Sequence, residues 1–335
     1  MIHRHSPPPP TDHRPPAPVL ARATRDAPCA EDVQASSKVP WMIFLALTVA
    51  IALVSIAGFR WYQLDVQRAV QQNLLSITEA KVNHFLAWRE ERRENGKALV
   101  NDPGFRAEFQ RWIAGGATDK AEEERLRQRL LAIRDAYAYE DILLFDGELR
   151  QVLSTRPHAA SPAAEAMRQA AEALHSGAVE YSDITYLRSG SREHARINIL
   201  APVRPPGTQA GAAIGLVLLR ADPTLKLFAT LSTWPMPSES GETFLARRDG
   251  EVITYLSAVR QPSANGAALQ FSMQEKELLS AQTARGAEGF LEGTDYREVR
   301  VFGASRSIPD TSWIIVSKID KAEIDTILSI TTKAA

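Results

Sequence analysis

The chain has 335 residues, 44% of them hydrophobic and 24% charged, with 39 Lys+Arg set against 40 Asp+Glu. Composition and length together suit packed cores in about two domains, and a formal charge of -1 lacks the basic excess of a nucleic-acid binder. One cysteine, Cys29, excludes an intramolecular disulfide framework and any cysteine-cluster metal site.

Residues 1–38 contain HRHSPPPPTDHRPPAP, rich in Pro, His and Arg and poor in large apolar side chains. Such a stretch buries too little surface to offset the entropy of ordering, so a disordered tail is predicted. A proline-helix ligand at PPPP is the rarer alternative. From Val39 to Phe59 there are 21 residues without a charge. As a helix they span about 30 Å, the thickness of a hydrocarbon core. Trp41 stands at one end and Trp61 and Tyr62 at the other, where aromatic rings favour the interface, and Lys38 and Arg60 close the run. A cleaved signal peptide competes, since Ser55 and Ala57 mimic a cleavage site. It usually has a shorter apolar run and a short basic start, and here 38 residues come first. The prediction is a transmembrane helix at 39–59 with the lipid bilayer as partner. Arg14, Arg22, Arg25 and Lys38 before it, against Arg60 and Arg68 after it, place the N-terminus in the cytoplasm.

Residues 60–117 are predicted as a stalk helix and a short helix. Val70, Leu74, Ile77, Phe85 and Trp88 recur at spacings that build one apolar stripe. A helix from Trp61 to Leu99 is over roughly 50 Å long. Such a length needs support, either from the domains that follow or from a second copy in a homodimer. Asn101-Asp102-Pro103 breaks it. A short helix with Phe105, Phe109 and Trp112 follows, and Gly115-Gly116 ends that.

Two similar halves come next, 118–234 and 242–325. In the first, Thr118 is a plausible cap for a helix over 119–138. DILLFDGELRQVLS then reads as strand, Asp146-Gly147 turn, strand. A helix from Ser161 to His175 stops at Gly177. Val179 to Leu187, Ala195 to Val203 and Ala213 to Arg220 read as strands, and Asp222-Pro223 opens a helix that reaches Trp234. In the second half, FLARRDGEVITYLS repeats the hairpin around Asp249-Gly250. A helix from Glu275 to Arg285, a weak strand from Gly289 to Asp295, and a strand pair around Pro309-Asp310 follow. Gly147 matches Gly250, and Asp222 matches Asp320. The architecture expected of each half is an antiparallel sheet with helices on one face, and 326–335 is the end of a C-terminal helix.

A transmembrane helix, a long stalk and two such modules resemble a bacterial extracytoplasmic double Cache sensor region. These are PAS-like α+β folds found in membrane histidine kinases, diguanylate cyclases and chemoreceptors. The resemblance covers about 65–325 and rests on KVNHFLAWREERRENGKALVNDPGF, AYAYEDILLFDGELRQVLS, ILAPV, GLVLLRADP and SWIIVSKIDKAEI. It implies a periplasmic receptor in the bacterial inner membrane, single-pass, that senses a small molecule. The chain departs from the pattern where AEIDTILSITTKAA ends at Ala335. No second apolar run of spanning length follows, so three readings stand side by side: part of a longer receptor whose output kinase or cyclase module lies outside this chain, a sensor that acts through a partner, or a protein that has lost output.

The resemblance also implies that ligand sits in the membrane-distal module, which the outgoing stalk makes 118–225. Candidates there are Tyr137, Tyr139, Asp141, Tyr181, Asp183, Tyr186, Arg192, His194, Arg196, Asn198 and Asp222. His194, Arg196 and Asn198 alternate onto one strand face. An Arg, Asn and Tyr set suits a carboxylate, and Asp141, Asp183 and Asp222 suit an amine. Together they suit an amino acid. The competing reading is that the charges face solvent and the tyrosines pack the core. The second module offers Arg247, Tyr255, Tyr296 and Arg300 and is expected to relay rather than bind. No common catalytic signature is present and the histidines lack metal-ligand spacing, so neither enzyme, metal nor cofactor is predicted. The alternative function is a membrane-anchored structural or partner-binding protein with no ligand.

Overall fold

The computed structural model describes residues 38–156, 161–189, 192–207, 211–257, 259–260 and 269–326. The predicted tail with Cys29, and the predicted C-terminal end beyond 326, lie outside the described residues. The chain divides into two compact units, Met1–Phe59 and Arg60–Ala335.

Helix α1 (Lys38–Asn101) supplies the described part of the first unit up to Phe59. An 18-residue window within it has mean hydropathy 2.6 and none of it is buried, so length and composition fit a membrane crossing.

In the second unit α1 continues from Arg60, and its apolar stripe is spent on the sheets. Leu74, Ile77, Phe85, Trp88, Leu99 and Val100 are all buried. At Gly96 the helix comes close to the sheet: a Cβ there would lie 3.3 Å from Ile199 Cγ2. Asp102 caps α2 (Pro103–Ala114) through Phe105 N, and α2 buries Phe105, Phe109 and Trp112. The cap of α3 (Lys120–Tyr137) is Asp119, whose carboxylate accepts from Ala121 N and Glu122 N. The predicted cap, Thr118, instead donates to the Gly115 carbonyl. Of these two neighbours the carboxylate is the one turned toward the free N–H groups of the first turn.

The first sheet has β1 (Asp141–Asp146), β2 (Gln151–Ser154), β3 (Glu180–Tyr181), β4 (Thr185–Ser189), β5 (Arg192–Val203) and β6 (Gly215–Ala221). The order is β2-β1-β6-β5-β3, with β4 also on β5. The single strand expected over 179–187 is two strands, parted at Ser182–Ile184. Helix α4 (Ala164–Ser176) closes on Gly177 in the left-handed region, φ 66°. One sheet face, with Ile142, Leu144, Ile199, Val217 and Leu219, shares a core with α1, α2 and α3. The other, with Leu143, Phe145, Leu200, Leu216 and Leu218, packs on α4. Helices therefore cover both faces rather than the single face expected, because β1, β5 and β6 are apolar on both sides.

After β6 a π-helical turn (Thr224–Phe228) and α5 (Ala229–Ser232) replace the longer helix expected there. The second sheet has β7 (Glu242–Asp249), β8 (Val252–Tyr255), β9 (Gln270–Ser272), β10 (Gly289–Thr294), β11 (Arg300–Ser307) and β12 (Trp313–Asp320), in the order β10-β11-β12-β7-β8-β9. Only Leu279–Ala284 of the expected 275–285 helix forms, as α6. It packs on Phe244, Tyr255, Ile314 and Val316. The opposite face carries Phe302, Ala304 and Ile319 against Leu74 of α1.

Candidate functional site

The first sheet places a row of polar side chains across β1, β6 and β5 and the residue just after β3, where its apolar α4 face gives out. Asp141 on β1 stands opposite Arg220 on β6, and Arg220 stands opposite Asn198 on β5. The Ser182 N–H, just after β3, donates to the Asn198 carbonyl at 2.8 Å. Cross-strand partners share a face, so Asp141, Arg220 and Asn198 form one line. All three, and Ser182, are buried.

The row is hydrogen-bonded along its length. Asp141 accepts from Ser154 Oγ at 3.0 Å and from Thr155 Oγ1 at 2.8 Å. Arg220 Nε donates to Asn198 Oδ1 at 3.4 Å, and Asn198 Nδ2 donates to Ser182 Oγ at 3.0 Å. Beside it, Arg196 grips Glu140 with both arms of its fork, Nε to Oε2 at 2.6 Å. Burial pushes the Arg220 guanidinium below its ordinary value and the nearby Arg196 charge adds to this, with Asp141 and Glu140 opposing. An arginine starts so high that it stays charged. The result is a buried guanidinium and a buried carboxylate on adjacent strands, flanked by an amide and three hydroxyls.

The predicted candidates divide. Asp141 and Asn198 join the row and Arg196 borders it. Asp183 accepts from Trp313 Nε1 of the second sheet at 3.0 Å. The Tyr186 hydroxyl donates to the Leu256 carbonyl, also in the second module. The Tyr181 hydroxyl donates to the Arg89 carbonyl on α1, and burial raises its pKa. Tyr139 is buried under Arg92, whose guanidinium lies 5.1 Å from its ring centre, and burial raises its pKa too. Asp222 accepts from Thr224 N at 2.8 Å, just ahead of the π-helical turn. His194 and Tyr137 are exposed. The side chain of Arg192 lies outside the described residues.

Four members of the row, Arg220, Ser182, Ser154 and Thr155, escaped sequence reasoning. Arg220 alone left a signal, as a charge at the end of the apolar run GLVLLRADP.

A Cache domain family model matches residues 62–326, most of the chain. The chain belongs to the Cache domain family. Solved structures agree in fold. The sensory domain of the Campylobacter jejuni chemoreceptor Tlp3 with isoleucine bound is 11% identical, with TM-score 0.54 over 78% of this chain and 97% of that one. The periplasmic sensory domain of Campylobacter jejuni Tlp1 is 13% identical, with TM-score 0.52 over 78% and 98%. The ligand-binding domain of the Pseudomonas fluorescens chemoreceptor CtaA in complex with L-serine is 18% identical, with TM-score 0.50 over 76% and 99%. No curated protein matches the chain. The two sheets described above are thus the two modules of a double Cache region.

Proposed function

We propose that this Cache protein is a membrane-anchored, extracytoplasmic small-molecule sensor whose ligand contacts the polar row of the first module. The observation that carries the proposal is the buried set Asp141, Arg220, Asn198 and Ser182 on neighbouring strands. A carboxylate beside a guanidinium matches the two charges of an amino acid, and the amide and hydroxyls add orienting contacts. Neighbours of the same fold carry isoleucine and L-serine, which supports an amino acid over a lone amine or carboxylate. The role is binding, with no catalytic step. Residues 118–234 form the binding module, 242–325 the relay module, and 39–59 the bilayer anchor. From Leu74 to Val100 the apolar stripe of α1 is buried against the sheets, so a homodimer through this stretch would use its polar side.

Transmission follows from the β3–β4 junction. Ser182 belongs to the row, and the next residue, Asp183, holds Trp313 of the second module. Arg247 Nη1 donates to the Ile184 carbonyl at 3.0 Å, and Tyr186 reaches Leu256. A ligand that favours one placement of Ser182 and Asn198 biases this seam, and with it the second module.

The test is a thermal-shift screen of the full chain in detergent against amino acids, carboxylates and amines. A ligand that binds only the folded state raises the melting temperature. An amino acid should do so, and Arg220→Met and Asn198→Ala should each abolish the shift. No shift from any class would overturn the proposal in favour of a partner-binding scaffold.

A further inference from the structure

At the other end of β5 from the polar row lies a groove of about 760 Å³. Asn198 and Arg204 are six residues apart, roughly 20 Å along an extended strand. The groove is walled by the last turns of α1, the start of α2, the segment after α4 and the end of β5. Its lining carries four cations, Arg93, Lys97, Arg106 and Arg204, against one carboxylate, Glu180. These cations come from three separate elements, so their convergence is a product of the fold and not of a basic run in sequence.

The walls are held in place. Arg93 lies 5.6 Å from the centre of the Tyr181 ring, and the Tyr181 hydroxyl is tied to the Arg89 carbonyl. Arg93 Nε is buried without a hydrogen-bond partner. Arg106 Nε donates to the Arg204 carbonyl at 2.9 Å and Nη2 donates to the Pro205 carbonyl. That locks α2 to the end of β5. The Arg204 guanidinium lies on Gly177, where a Cβ would come within 1.9 Å of Nη2.

Helix ends explain part of this charge. The C-terminus of α4 closes at Gly177 and attracts Arg204. It does not explain Arg93 and Lys97 on α1. These two pair with Glu90 at 3.1 Å and Glu94 at 2.7 Å, one turn earlier on the same helix. Both glutamates are more than half exposed, and exposed pairs of this kind are weak and open readily. A single negative charge gains little by displacing them. An anion with two or three charges can bridge α1 to β5, which neither glutamate does.

We propose that this groove is a second ligand site, distinct from the polar row, for a small multivalent oxyanion. Arginine forks and a lysine accept polycarboxylates and linked phosphates alike, so the shared chemistry is two or more oxyanion groups within one small molecule.

Calorimetry of the full chain in detergent, with citrate and pyrophosphate as probes at low salt, tests it. At least one probe should bind, and binding should fall steeply with added chloride as the charges are screened. Citrate alone would assign a polycarboxylate, and pyrophosphate alone a phosphate; either supports the site. The double variant Arg93→Gln/Lys97→Gln should weaken binding about tenfold or more, as loss of charge-assisted contacts requires. If the double variant is unstable, Lys97→Glu, on a side chain that is 43% exposed, tests the same direction. Asn198→Ala, in the polar row, should leave anion binding unchanged. The proposal fails if neither probe binds at about 1 mM, if the groove variants bind like the parent, or if Asn198→Ala abolishes binding.

Discussion

Asp141 opens the first strand of the first sheet and stands opposite Arg220; Glu242 opens the first strand of the second sheet and stands opposite Lys318. Five strands of each sheet correspond, β2-β1-β6-β5-β3 with β8-β7-β12-β11-β10, so the two acid–base pairs are counterparts within the internal repeat. Their surroundings differ. Next to Arg220 is Asn198, and next to Lys318 is Gly303. In the second module Leu279 of α6 fills the space that a side chain at 303 would need, since a Cβ there would meet Leu279 Cδ1 at 2.3 Å. Lys318 is surrounded by carboxylates: Asp295 at 3.0 Å, Glu242 at 3.4 Å and Asp320 at 3.5 Å. Arg297 bridges Asp295 and Asp320, and Tyr296 donates to Glu242. Phe244 stacks on Tyr255 and Tyr296 packs edge-on to both. One module keeps a row of adaptable donors and acceptors. The other has closed the same position with its own ammonium and a layer of aromatics, which suits a relay. The lesson is that a repeated charge pair can serve binding or locking, depending on what the next strand and the covering helix supply.

Removing the basic partner separates the two modules most. Lys318→Ala leaves Asp295 and Glu242 buried without their ammonium and should cost about 3–5 kcal/mol. Arg220→Ala should cost less, about 1–3 kcal/mol, because Asp141 keeps the Ser154 and Thr155 hydroxyls. Its larger effect should be on ligand binding. Denaturant unfolding of the two variants measures both; equal losses would end the distinction. Gly303→Asn, which imports the first module's residue, should cost about 1–3 kcal/mol by overpacking against Leu279. A neutral outcome in thermal unfolding would show that α6 does not close the position. At the seam, Tyr186→Phe removes only the oxygen that reaches Leu256 and should cost about 0.5–1.5 kcal/mol. It should also blunt any ligand-induced change in hydrogen exchange of β7 and β8. An unchanged response would remove this contact from the relay.

Much of this fold is legible along the chain because its signals are local. The stripe from Val70 to Trp88 and the break at Asp102-Pro103 depend on neighbours a few residues apart. The Asp146-Gly147 and Asp249-Gly250 turns do too. The division of 179–187 into two strands is less legible, since Asp183 and Ile184 bond to Trp313 and Arg247, far away in sequence. The site is less legible for the same reason. Asp141 and Asn198 stand out as polar residues in apolar strands, but their line is completed by Arg220 through register alone. Tyr181, Asp183 and Tyr186 have the chemistry of ligand contacts and are spent on α1 and on the second module. Lys318 and Asp295 carry no local mark of being buried.

The mildest difference between the modules shows in acid and vanishes near neutrality. Burial would raise the Asp295 carboxyl, but hydrogen bonds from Arg297 and the charge of Lys318 hold it below its ordinary value. Glu323 behaves alike: burial opposes and the Ser240 and Ser238 hydroxyls prevail. As pH falls, the unfolded chain takes up protons on such groups first, near pH 4, because its carboxyls have the higher pKa. The stabilisation is therefore complete above about pH 5 and is lost as pH drops through the folded values. In the first module the comparable group on the sheet is Asp146, which backbone and side-chain hydrogen bonds from Arg150 lower against the opposing effect of burial. That turn lies at the rim of its sheet, whereas Asp295 contacts the central lysine of the other. Hydrogen exchange between about pH 3 and pH 5 should accordingly show β11 and β12 losing protection before β5 and β6. If the first sheet opens earlier, the carboxylate cage around Lys318 is not what holds the second module closed.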